Sequence, residues 1–80
     1  MASGTIRYWA AARAAAGRHE EPYEGDTLEA VLLGVSSAHG PELARVLSVC
    51  SFLVDGARMG PEAVLPEGAV IEVLPPFAGG

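Results

Sequence analysis

The chain ends Leu74-Pro75-Pro76-Phe77-Ala78-Gly79-Gly80, the one stretch whose residue types and spacing converge on a reaction. Two consecutive prolines favour an extended, polyproline-like backbone and cannot continue a strand ladder. Beyond them Ala78, Gly79 and Gly80 are expected to form a thin, flexible tip. Without Cβ atoms the two glycines can enter a narrow tunnel and take backbone angles closed to other residues. Gly80 is expected to carry the α-carboxylate, so the tail reads as a device for delivering one carboxylate into another protein's active site. A carboxylate is a poor acyl donor until it is activated. ATP can convert it to an acyl-adenylate, and a sulfur nucleophile can then displace AMP and leave a thiocarboxylate. Bulk beside the carbonyl would obstruct both attacks, which is why Gly-Gly suits this chemistry. The plainer alternative is a frayed terminus that happens to end in glycine.

No other residues are arranged for catalysis. His19 stands beside Glu20 and Glu21 and reads as a solvated surface histidine; His39 reads as a helix-end residue that favours the C-terminal dipole. Neither has a metal-ligand companion at the usual spacing. Cys50 opens an expected buried strand with no nearby cation to lower its pKa, so packing is the expected role. The glycines stand singly at turns and build no phosphate-cradling loop. A stand-alone enzyme is therefore the least favoured class.

Composition narrows the partners. In 80 residues, one small domain is expected. Ten acidic residues face five basic ones, for a net charge of −5, which disfavours nucleic acid and anionic membrane surfaces. All five basic residues are arginine, so no side-chain amine is present for Schiff-base chemistry or for accepting an isopeptide bond. A single cysteine rules out an internal disulfide. No apolar run is long enough for a transmembrane helix, the start does not resemble a signal peptide, and a cytoplasmic location is expected.

The tail needs a scaffold to carry it. Thr5-Ile6-Arg7-Tyr8-Trp9 reads as a strand with Ile6 and Tyr8 on one face. Ala10 to Ala16 is helix-prone but short, a helical turn or a loop, broken by Gly17. His19 to Tyr23 reads as a weaker strand. Asp26 is expected to cap the main helix, with Glu29 in a capping-box position. Leu28, Val31, Leu32 and Val35 then fall on one helical face. Pro41 suits the first position of a short second helix bearing Leu43, Val46 and Leu47. Ser51 to Val54, an Asp55-Gly56 turn and Ala57-Arg58-Met59 form an expected hairpin. Leu65 to Gly68 reads as a turn and Ala69 to Leu74 as the last strand. The expected class is α+β, a mixed sheet packed on one main helix. The domain is expected over residues 1–74 and the tail over 75–80. Periodicity alone does not choose the strand order.

The ending Val73 to Gly80 resembles that of the molybdopterin synthase small subunit, a family of ubiquitin-like sulfur carriers, in which a hydrophobic strand runs into Pro-Pro, a hydrophobic residue, a small residue and Gly-Gly. Tyr8-Trp9-Ala10-Ala11-Ala12-Arg13 is similar to that family's first strand and its Ala-x-x-Ala-Arg stretch, and Val54-Asp55-Gly56 to its Val-Asn-Gly hairpin. The resemblance implies a β-grasp fold with the first and last strands parallel neighbours in mid-sheet. It implies that an E1-like adenylating enzyme activates Gly80 with ATP, that a sulfurtransferase supplies sulfur, and that the thiocarboxylate enters the large synthase subunit and gives its sulfur to a pterin precursor in molybdenum cofactor synthesis. Gly79, Ala78, Phe77, Pro76, Pro75 and Leu74 would contact the partner. Phe77, Leu74 and Met59 would form an apolar docking patch, although core packing is the plainer reading for Leu74 and Met59. No cofactor or metal is expected on the chain itself. Ala14 stands where relatives often carry an acidic residue, Trp9 is bulky for its place, and Phe77 is larger than the usual aliphatic. Rival readings are a sulfur carrier for thiamine thiazole or cysteine synthesis, a ubiquitin-type modifier, and a β-grasp binding module with an inert tail.

Overall fold

The computed structural model describes residues 1–76. Its elements are β1 (Ser3–Tyr8), α1 (Ala10–Ala16), β2 (Glu20–Glu24), α2 (Leu28–His39), α3 (Pro41–Leu47), β3 (Ser51–Val54), β4 (Ala57–Arg58) and β5 (Val70–Leu74). The five strands form one mixed sheet in the order β2-β1-β5-β3-β4. β1 and β5 are parallel, with Ile6 opposite Ile71 and Tyr8 opposite Val73; the other pairs are antiparallel. This is the ubiquitin-like β-grasp arrangement, with the parallel pair at the centre.

Period-2 alternation divides the sheet. Ile6, Tyr8, Val54, Ile71 and Val73 are buried against the helices. Leu28, Val31 and Val35 of α2, Leu43 and Leu47 of α3, and Ala12 and Ala16 of α1 close over them. Leu65, read from sequence as a turn residue, is also buried, because its amide donates to the Asp26 carbonyl and turns its side chain into the core. The opposite face is open and carries Thr5, Arg7, Leu53, Glu72 and Leu74.

The short helices owe their existence to local stops. α1 ends where Gly17 takes a left-handed φ of 76° and its amide returns to the Arg13 carbonyl. α2 ends at Gly40, and Pro41 starts α3. The expected cap of α2 is corrected: Thr27, not Asp26, is the N-cap, and its hydroxyl accepts from the Ala30 amide at 3.2 Å. Asp26 instead accepts from the Ala2 amide at 3.0 Å, tying the N-terminal segment to the β2–α2 connection. Strand limits move slightly: β1 starts at Ser3 and stops before Trp9, and β2 begins at Glu20. The Asp55-Gly56 hairpin is as expected, with φ of 49° and 85°, the pair of positive values a tight two-residue turn requires.

Candidate functional site

β5 is the element that delivers the tail. It sits between β1 and β3, hydrogen-bonded on both edges, so its last residues cannot fray independently of the sheet. The ladder stops at Leu74, where Pro75 removes a donor. Burial does not stop there: Pro75 is buried and continues the inward alternation of Ile71 and Val73, while Pro76 is exposed. The chain is therefore gripped up to Pro75 and released at Pro76. Phe77, Ala78, Gly79 and Gly80, the expected reacting and partner-contacting residues, lie outside the described residues.

The exit is framed by neighbours on both sides. The Trp9 amide donates to the Val73 carbonyl at 3.3 Å, which closes the end of β1 onto β5. On the other flank Ser51 lies opposite Leu74, so Cys50 stands beside Pro75. The Cys50 thiol donates to the Val46 carbonyl at 3.1 Å, and burial pushes its pKa up. These are the surroundings of a packed thiol, the role expected from the sequence. Leu74 projects to the open face and is half-buried. Met59, for which core packing is the plainer reading, is instead exposed at 41%.

Both histidines differ in detail from their sequence readings. His19 is exposed, as expected, but its ring meets the edge of Trp9 at 5.7 Å between centroids. The Trp9 indole N–H is buried and has no acceptor among the described residues. His39 is the last residue of α2 but faces inward, where Nε2 lies 2.6 Å from Glu21 Oε2. The fully buried Tyr8 donates to the same oxygen at 2.6 Å, and Arg18 reaches Glu21 Oε1 at 3.3 Å. Burial alone would raise the Glu21 pKa. The hydrogen bonds from Tyr8 and His39, with the charges of His39 and Arg18, overturn that and hold the carboxyl below its ordinary value. Burial, joined by the Glu21 carboxylate, pushes the Tyr8 hydroxyl up. Sequence reading missed this network, since nothing in the spacing links residues 8, 21 and 39.

Of the network's side chains Tyr8, Glu21 and His39 line neither cleft found among the described residues, and Arg18 alone borders one, the shallow groove beside α1. The larger cleft, bounded by Ser3, Thr5, Tyr23 and Glu67, lies at the end of β1 remote from the tail. Among the described residues no three His, Cys, Asp or Glu side chains group so as to hold a metal. No helix among them is long and apolar enough to cross a membrane. The geometry therefore converges on β5, a central strand held on both edges, with burial continuing to Pro75.

Comparison with known proteins agrees with that geometry. Solved structures of similar fold include the small archaeal modifier protein 1 from Methanosarcina acetivorans, 28% identical over 100% of this chain and 98% of that one, with a TM-score of 0.89. Subunit 1 or 2 in the complex of molybdopterin-converting factor from Helicobacter pylori 26695 matches at 20% identity over 98% of this chain and 99% of that one, with a TM-score of 0.72. A chain of the Amycolatopsis orientalis BexX/CysO complex matches at 23% identity, over 95% and 98%, with a TM-score of 0.80. No curated protein sequence matches. Residues 6–80 match the ThiS family, a span that runs from the middle of β1 to Gly80, and the chain belongs to that family of ubiquitin-fold sulfur carriers.

Proposed function

We propose that this chain is the sulfur-donating small subunit of a molybdopterin synthase. A Gly80 carboxylate oxygen attacks the α-phosphorus of ATP on an E1-like activating enzyme, giving the acyl-adenylate and pyrophosphate. A sulfur nucleophile at the sulfide oxidation level, supplied by a sulfurtransferase, then displaces AMP, which carries away the carboxylate oxygen. The thiocarboxylate enters the large subunit and gives its sulfur to a pterin precursor. The chain holds no cofactor of its own, and ATP is used by the activating enzyme. Gly79 and Ala78 thread the partner's tunnel, Phe77, Pro76 and Pro75 meet its mouth, and Leu74 joins the contact from the open face.

The observation that carries this reading is β5 running, locked in mid-sheet, straight into Pro75-Pro76 and the Phe77-Ala78-Gly79-Gly80 ending. The Pro-Pro ending and the Ala-Ala-Arg stretch after β1 favour the molybdopterin branch over thiazole or cysteine synthesis. The fold shared with a chain from the molybdopterin-converting factor complex supports a separate large subunit as partner. A second reading, a protein modifier, draws support from the 28% identity to an archaeal modifier protein and would use the same activated glycine, with an amine in place of sulfur as nucleophile.

Reconstitution separates the two. The thiocarboxylated chain is mixed with a molybdopterin synthase large subunit and the cyclic pterin precursor. Dithiolene product formed in proportion to carrier supports the proposal. Amide-linked conjugates in extract, with no dithiolene formed, favour the modifier.

A further inference from the structure

We propose that the shallow groove between α1 and the start of β2, walled by Arg13, Arg18 and His19, docks an acidic segment of the activating enzyme that adenylates the tail; the inference rests on the carrier reading above. The groove has a volume of about 420 Å³, is floored by Ala10, Ala14 and Gly17, and has no carboxylate in its wall. It gathers three of the seven arginine and histidine side chains of a chain whose net charge is −5. On so acidic a molecule, an anionic segment is repelled almost everywhere else.

The arginines are unequally free. Arg7 and Arg45 are paired with Glu20 and Glu42, close to them in the fold. Arg18 commits one nitrogen to Glu21, while its side chain stays 54% exposed. Arg13 and Arg58 make no ion pair among the described residues, and of the two only Arg13 lines the groove, where its planar fork is open to a carboxylate. The small residues of the floor leave the groove open along its length, which suits an extended run of Asp or Glu side chains better than an enclosed small anion.

Position links the groove to the tail. α1 occupies the connection between β1 and β2, at the end where the parallel β5 leaves the sheet. The Trp9 amide binds Val73 of β5, and the Trp9 ring meets His19. Any protein that encloses the chain beyond Pro76 must approach this end.

Two measurements test the inference. In the first, an octaglutamate peptide is titrated into the isotopically labelled full chain at low salt and followed by amide NMR. Shifts confined to residues 10–19, lost in Arg13→Glu and reduced by added salt, are expected. Absence of shifts, or shifts equally strong around Arg45 and Arg58, overturns the proposal. In the second, loading by the activating enzyme is compared for Arg13→Glu and the control Arg45→Glu. A KM raised about tenfold in Arg13→Glu alone, with kcat retained and the gap narrowing at high salt, is expected. Equal behaviour of the two variants overturns it. If the unaltered chain accepts no sulfur, the carrier reading fails instead, and the peptide titration still decides the groove.

Discussion

The Trp9 amide and the Val73 carbonyl lie 3.3 Å apart, so the end of β1, the start of α1 and the root of the tail share one hydrogen bond. The residue after Trp9 bears the local cost. Ala10 has φ of 51°, a left-handed conformation that an alanine adopts only under constraint. Relieving that strain with Ala10→Gly is expected to raise stability by about 0.5 kcal/mol, because removing the Cβ clash outweighs the added unfolded-state freedom. Gly17→Ala, at φ of 76°, should lower stability by about 1 kcal/mol. Opposite shifts in denaturant midpoint for these two changes check the assignment.

At the other end of β1, backbone meets backbone. A Cβ built on Gly4 would run into the Ala69 carbonyl oxygen and lie 2.7 Å from the Tyr23 hydroxyl, which itself donates to that carbonyl at 2.8 Å. Neither neighbour is a flexible side-chain end free to withdraw. Gly4→Ala is expected to cost about 2–3 kcal/mol, measured by urea unfolding.

Glu21 gives the fold a pH dependence whose sign follows from its lowered pKa. The carboxylate's contribution is fully present above the ordinary value of 4.5 and is lost as pH falls through the lower folded value. Glu21→Gln should therefore cost about 2 kcal/mol at pH 7, since it removes charge-assisted bonds to Tyr8, His39 and Arg18. The difference from the unaltered chain should shrink steadily below pH 4.5. Chemical unfolding of both proteins across that range checks it.

Leu74 is half-buried on the open face, immediately before the exit. Leu74→Ser is expected to cost about 1 kcal/mol of stability yet reduce the efficiency of sulfur loading about tenfold, if this face meets the activating enzyme. Kinetics and unfolding measured on the same sample separate the two effects.

Much of the scaffold was legible because its signals are local. Leu28, Val31 and Val35 mark a helical face, Gly40-Pro41 a stop and a start, and Asp55-Gly56 a two-residue turn. The cap of α2 is ambiguous in sequence because Asp26 and Thr27 are both good capping residues, and only the long-range bond from Ala2 to Asp26 decides between them. Leu65 reads as a turn residue because it lies in no periodic segment; its burial comes from the bridge between Thr27 and Val64. The Tyr8–Glu21–His39 network joins three elements and has no sequence spacing to betray it. The basic groove was half visible, as Arg13, Arg18 and His19 around Gly17, but the lack of any carboxylate in its wall is a property of the folded surface. The Pro-Pro exit was plain in sequence, whereas the burial of Pro75 was not.

The central claim is that Gly80 accepts sulfur at its carboxylate. The most direct test is the intact mass of the purified chain after incubation with ATP, a sulfur source and an E1-like activating enzyme from the same source. A mass gain equal to sulfur replacing one oxygen, absent when Gly80 is deleted, is predicted. An unchanged mass with an activating enzyme that loads another carrier in the same assay would contradict the account.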